Sequence, residues 1–254
     1  MLELSGVSHS YQGAGVLHDV SCRFAAGQVT GIIGPNGAGK TTLLKLAAGL
    51  MTPARGAVSS DAFEFADRRA RAQELAYLPQ FHSSAWPLAC QDLVALGLLP
   101  YGDALPDAAQ RVAAALQQCG ASAFAERGID SLSGGERARV HVARLLVGKA
   151  RLLLLDEPVQ SLDAAGALAV MDVLRAAATH GKAVVTVLHD LTLAAQFCDH
   201  IIVLHEGRVA AEGSPQEVLS ATRLAPIFGV SFDAVEAAGH RILVANAAPK
   251  GDTN

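Results

Sequence analysis

Three things are scarce in this sequence, and each scarcity removes a class of function. The four cysteines, Cys22, Cys90, Cys119 and Cys198, are scattered with no Cys-x-x-Cys pair. That argues against a zinc knuckle or a dithiol redox centre and fits reduced, buried thiols. The nine histidines show no metal-ligand spacing either. Positive charge is not in excess: 20 Lys and Arg face 24 Asp and Glu, for a formal net charge of −4. No global basic field exists to hold nucleic acid, so none is expected as a partner. Long apolar runs are absent too. Nothing approaches the ~18 residues of a membrane span, and Arg144, Lys149 and Arg151 interrupt the longest candidate. Any membrane association has to come through a partner. The start, MLELSG, lacks a basic segment and carries Glu3, so no signal peptide is expected.

What is present is the composition of a folded globule. The 254 residues are 51% hydrophobic and 17% charged, enough for one large α/β domain or two small ones. Residues 2–30 alternate polar and apolar positions between Gly and Asp punctuation and read as short antiparallel strands. Gln28 to Ile33 is a β-branched strand ending at Gly34, and Lys40 to Leu50 has helical spacing. Residues 61 to about 130 are richer in Ala, Arg and Gln, with Pro79, Pro87, Pro100 and Pro106 as breaks; they read as a mostly helical insertion. An alternating pattern then resumes: helix 134–148, strand 151–156, helix 165–179, strand 183–188, helix 191–197, strand 200–205. Such alternation implies a parallel sheet covered on both faces. Beyond Gly213 the pattern gives two short helical pieces and a weakly alternating tail. Residues 246–254, closing in APKGDTN, read as disordered.

The chemistry is concentrated in two places. Gly34-Pro35-Asn36-Gly37-Ala38-Gly39-Lys40-Thr41 fits GxxxxGK[ST] between a strand and a helix. Glycines there let backbone N–H groups converge, and the helix adds its positive end. Lys40 would reach the β- and γ-phosphates and the Thr41 hydroxyl would ligate Mg²⁺. A dinucleotide fingerprint, GxGxxG, does not fit, because the glycines run GxxGxG. The second place is the all-Leu stretch Leu152 to Leu155, followed by Asp156 and Glu157. Asp156 can hold magnesium directly or through water, and Glu157 can accept a proton from an attacking water.

Between these motifs Leu132-Ser133-Gly134-Gly135-Glu136 opens a helix. Here the sequence closely resembles the nucleotide-binding domains of ABC ATPases, whose signature is LSGG[EQ]. The resemblance runs over about residues 1–230, with the motifs in the family's order. It implies an α/β fold: a P-loop NTPase core with a mainly parallel sheet, an N-terminal antiparallel β subdomain, and a helical subdomain carrying the signature. Residues 1–245 would form one such domain, with the helical subdomain at about 81–150. The cofactors implied are ATP and Mg²⁺, with Gly34 to Thr41 and Thr42 holding the phosphates. Tyr11 would stack on adenine, Gln80 would approach the magnesium, and His189 would contact the γ-phosphate. Ser133, Gly134, Gly135 and Glu136 would close over a second subunit's nucleotide, with Asp163 at the seam. One departure stands out: Ala138 replaces the glutamine that usually precedes Arg-Val.

A second anion-binding helix start in one chain suits a head-to-tail homodimer with two divided sites. Three roles compete for such an ATPase: transporter subunit, nucleic-acid machine, and soluble non-transport ATPase. A nucleic-acid role would favour a coiled-coil arm, tandem ATPase units or a basic face, and none is present. Phe81 to Tyr101, with Trp86 and Pro87, resembles the stretch that receives a helix of a transmembrane permease. Leu188-His189-Asp190-Leu191, Pro215-Glu217-Val218-Leu219 and Ile227-Phe228-Gly229-Val230 resemble importer ATPases for iron–siderophore, haem or cobalamin, with zinc and manganese importers as the alternative. The partners implied are permease subunits and, indirectly, a periplasmic or surface substrate-binding protein. The chain would then sit peripherally on the cytoplasmic face of the inner membrane. No regulatory domain is expected after the ATPase.

Overall fold

Strands β1 (Leu2–Tyr11) and β2 (Ala14–Phe24) pair antiparallel, and β4 (Arg55–Ser60) flanks β1 on its other side. Every second residue near the end of β2 is buried, Val20, Cys22 and Phe24, as a sheet with one wet face requires. Between β2 and β4 run β3 (Val29–Ile33) and helix α1 (Lys40–Ala47). Then come α2 (Arg68–Glu74), β5 (Leu75–Leu78), α3 (Cys90–Ala95), α4 (Ala108–Gln118) and α5 (Gly134–Leu146). The alternating half follows: β6 (Leu152–Asp156), α6 (Ala164–Thr179), β7 (Ala183–Val187), α7 (Leu191–Phe197), β8 (His200–His205) and β9 (Arg208–Gly213). Helices α8 (Pro215–Val218) and α9 (Ala221–Phe228) and a hairpin of β10 (Ser231–Ala237) with β11 (His240–Asn246) close the chain. The computed structural model describes residues 1–80, 88–105, 107–160, 162–237 and 239–246.

The main sheet has the order β5-β6-β7-β3-β8-β9, all parallel except β9. Its central strands β3, β6 and β7 are buried at every residue, and their alternate side chains serve two different cores. Leu153 and Leu155 face the helices α3 to α7, whereas Leu152 and Leu154 face α1 and the antiparallel sheet. Ile201 and Val203 against Ile202 and Leu204 divide the same way on β8. An uninterrupted Leu run is therefore the correct reading of a strand with no wet side.

Two sequence expectations change. The region from residue 61 is not helical throughout: Leu75–Leu78 is an edge strand, paired with Leu152–Leu155, so the helical layer begins only after it. Four residues are too few to show a period, and only β6 beside them makes them a strand. The weakly alternating tail is the β10–β11 hairpin, anchored by buried Leu243 and by Phe232 against Phe228. Of residues 246–254, read as a disordered tail, Asn246 instead ends β11 opposite Ser231, and residues 247–254 lie outside the described residues.

Candidate active site

The phosphate loop sits where β3 gives way to α1. Gly34 has φ +149°, and a Cβ there would fall 2.1 Å from the Leu204 carbonyl oxygen. Gly39, at φ +98°, would drive a Cβ to 2.6 Å from Leu17. Both positions are closed to other residues by backbone shape and by space. Helix α1 starts with no side-chain cap and no acid in its first turn, so its positive end is unspent. Lys40 is buried, and its ammonium donates to the carbonyls of Gly34 (2.8 Å) and Pro35 (2.9 Å). Burial pushes its pKa down, while the carboxylates Glu157 and Asp156 push it back up.

Opposite lies the end of β6. Asp156 is 1% exposed, and neither carboxylate oxygen has a partner at full hydrogen-bonding geometry among the described residues. Burial raises its pKa; the Thr41 hydroxyl is close enough to lower it, Glu157 raises it further, and Lys45 and Lys40 lower it. Glu157 adopts a left-handed φ of +54°, a conformation that costs a non-glycine residue about 1–2 kcal/mol. Its side chain is 8% exposed and held at both oxygens. Oε1 lies 2.5 Å from His189 Nε2, and Oε2 accepts from Gln80 Nε2 at 2.8 Å. The same Gln80 amide donates to Gln160 Oε1 at 3.3 Å. His189 follows β7, and its ring is 42% exposed.

These groups surround one cleft of about 730 Å³, lined by Val16, Asn36, Gly37, Gly39, Lys40, Thr41, Thr42, Gln80, Glu157, Gln160 and His189. Its wall carries donors for an anion at one side and a fixed carboxylate at the other. Among the described residues no three His, Cys, Asp or Glu side chains group as a metal site. A hard divalent cation nonetheless fits: the unpartnered Asp156 carboxylate beside the Thr41 hydroxyl is an oxygen donor set of the kind such a cation takes.

Other expected residues lie off the cleft. Gly34 and Pro35 contribute carbonyls to Lys40, and Ala38 is packed in the core. Tyr11 is 45% exposed, set edge-on to His9 with its hydroxyl on Met51 sulfur, and does not line the cleft. Ser133 and Glu136 cap α5 reciprocally: the Ser133 N–H donates to Glu136 Oε2 (2.8 Å) and the Glu136 N–H to Ser133 Oγ (3.3 Å). Gly134 and Gly135 stand at the helix start outside that cap, Gly135 facing Leu162. Asp163 caps α6 by accepting from the Gly166 N–H at 2.7 Å. Ala138, the departure from the signature pattern, is buried in α5. Trp86 and Pro87 lie outside the described residues; of the segment that follows, Leu96 and Leu99 are exposed, while Leu93, Val94 and Leu98 are core.

Two lining residues, Val16 and Gln160, are not marked by the sequence patterns. Val16 sits in a strand with no motif, so nothing in the sequence singles it out. Gln160 stands three residues after Glu157, and its N–H bonds the Glu157 carbonyl (3.2 Å) in a turn; proximity to the carboxylate was the available signal.

Comparison with known proteins agrees with this geometry. The ABC transporter family pattern matches residues 17–160. A relative from Pseudomonas entomophila, named hemin import ATP-binding protein HmuV, is 39% identical over 237 residues, covering 91% of this chain and 93% of that one. A metal-chelate type ABC transporter in an inward-facing conformation superposes with a TM-score of 0.83 at 24% identity, covering 98% of both chains. A dimeric ATP-binding cassette in a post-hydrolysis state with ADP and Pi gives 0.76 at 27% identity, over 85% of this chain and 99% of that one. A phosphate loop facing a fixed carboxylate, a helix-capping signature between them and these likenesses have one explanation: this chain belongs to the ABC transporter family, as an ATP-hydrolysing ATP-binding subunit.

Proposed function

We propose that the chain is the energy-coupling ATPase of a haem importer, working as a head-to-tail homodimer beneath a transmembrane permease. The observation that carries the chemistry is the grip on Glu157 by His189 and Gln80, across the cleft from Lys40. The cargo is inferred from the hemin-import name of the relative. No described helix is long and apolar enough to cross a membrane, so a permease partner would hold the chain peripherally at the cytoplasmic face of the inner membrane. A substrate-binding protein would deliver cargo on the far side. Residues 1–245 would act as one ATPase unit.

In this reading ATP enters with its phosphates along Asn36 to Thr42. The N–H groups at the α1 start and the Lys40 ammonium, released from the loop carbonyls, take the β- and γ-phosphate charge. Tyr11 would have to turn from Met51 to meet adenine. Magnesium, held by Thr41 and Asp156 with Gln80 toward it, would neutralise charge on the β- and γ-phosphates. Each Glu157 oxygen keeps a second lone pair beyond the bond it already accepts. One of these takes the proton of the attacking water as the water oxygen bonds to the γ-phosphorus. The bond from that phosphorus to the β–γ bridging oxygen breaks, and ADP leaves. His189, bonded to Glu157 and partly open to the cleft, orients the carboxylate and contacts the γ-phosphate. The N–H groups of Gly134 and Gly135, left out of the Ser133–Glu136 cap, would complete the site on a second copy, with Asp163 at the seam. ATP then stabilises the closed pair, and hydrolysis releases it.

The test is purification from membranes of the native organism, with a tag on this chain. A permease should travel with it, and reconstituted vesicles should import haem only with ATP. Recovery with a permease that moves zinc or manganese instead would overturn the cargo, and recovery without any membrane protein would overturn the importer.

A further inference from the structure

Among the described residues lining the cleft, Gln160 is the one with a polar side chain to which neither motif nor proposed mechanism gives a task. Its carbonyl Oε1 and the Glu157 carboxylate are the acceptors that the Gln80 amide nitrogen meets among the described residues, at 3.3 and 2.8 Å. An amide has two N–H donors at one end and an acceptor at the other. With the nitrogen between two oxygens, a turned-over Gln80 would set its own oxygen against the Glu157 carboxylate and forfeit the bond to Gln160. The carbonyl end of Gln80 is thereby left for a cation.

Glu157 and Gln160 thus act on the same Gln80 nitrogen, and Gln160 adds a second acceptor to the one that Glu157 supplies. Gln160 also stands in the turn that joins Glu157 to Leu162, which packs beside Gly135 of the signature helix. We propose that Gln160 is a positioning residue that helps fix the Gln80 amide, keeping its oxygen toward the divalent cation. The proposal rests on the roles given above to Gln80 and Glu157.

A double-mutant cycle tests it, with Gln160→Met, which keeps length but removes the acceptor, Gln80→Ala, and the pair. Two readouts are taken: steady-state ATP turnover, and Mn²⁺ affinity of the chain loaded with a non-hydrolysable ATP analogue, followed by electron paramagnetic resonance. Gln160→Met should weaken Mn²⁺ binding and slow turnover by about 10-fold, the range for a group that orients a metal ligand. Binding of the analogue without metal should not change, which separates positioning from misfolding. Gln160→Glu, which restores an acceptor, should recover Mn²⁺ affinity. In the Gln80→Ala background Gln160→Met should add nothing. Independent, additive losses, or a Gln160→Met chain with wild-type Mn²⁺ affinity while Gln80→Ala is impaired, would overturn this proposal alone. A Gln80→Ala chain with unaltered turnover and Mn²⁺ affinity would overturn the role of Gln80 and this proposal with it.

Discussion

Replacing Asp156 by Asn should make the nucleotide-free protein more stable and the ATPase inactive. The carboxylate is 1% exposed, neither oxygen has a partner at full hydrogen-bonding geometry although the Thr41 hydroxyl lies close, and burial is the largest influence on its pKa, upward. Burying an unpaired ion costs several kcal/mol, and here Thr41, Lys45 and Lys40 return part of it. Asn keeps the shape without the charge, so a gain of about 1–2 kcal/mol is expected at neutral pH. For a chain of this length each kcal/mol moves Tm by about 2–4 °C, which predicts a rise of about 2–8 °C. The sign depends on pH. Because the folded pKa is raised, the contribution of Asp156 to stability is complete below the unfolded carboxylate value and is lost as pH rises through the folded one. The advantage of the Asp156→Asn variant should therefore shrink to nothing in acid. Thermal denaturation at neutral and acidic pH, with and without MgATP, reads all of this. With MgATP at about 100-fold over Kd the wild type should gain about 2.7 kcal/mol and overtake the variant, which should respond weakly. A lower Tm for Asp156→Asn at neutral pH without nucleotide would refute the account of an unsatisfied carboxylate.

Two further outcomes follow from other contacts. Ser133→Arg should leave nucleotide binding by a single chain intact but block ATP-dependent pairing, measured by sedimentation; normal pairing would remove the signature from the interface. Tyr101→Phe should cost about 1–3 kcal/mol, because the buried hydroxyl donates to the Gln73 carbonyl and accepts the Lys149 N–H, each at 2.7 Å. Denaturant unfolding that shows no loss would mean that water replaces both partners.

The parts of the fold legible in the sequence are those where one pattern suffices. Uniformly apolar Leu152 to Leu155, set between two helical patterns and ending at an acidic pair, reads as a strand covered twice, and the helix and strand bounds from residue 134 to 205 agree within two residues. Strand β5 needed its neighbour, and β10 and β11 needed each other, because pairing is non-local. At the site, the spacing that marks Lys40, Asp156 and Glu157 is local chemistry and could be read directly. The left-handed turn at Glu157 and the grip of Gln80 on it from 77 positions away could not. Ala138 illustrates the same limit: the sequence shows a missing glutamine, and only the packed helix shows that the position is buried.

The central claim is that Glu157 takes the proton of water in a cleft completed by a second copy. Glu157→Gln keeps the partners His189 and Gln80 within reach but cannot act as a base. Light scattering on a sizing column, run beside a phosphate-release assay, measures both halves of the claim in one sample. The account predicts a stable dimer in MgATP, with turnover reduced by about 10²-fold or more. A monomer in MgATP that hydrolyses at the wild-type rate would contradict it.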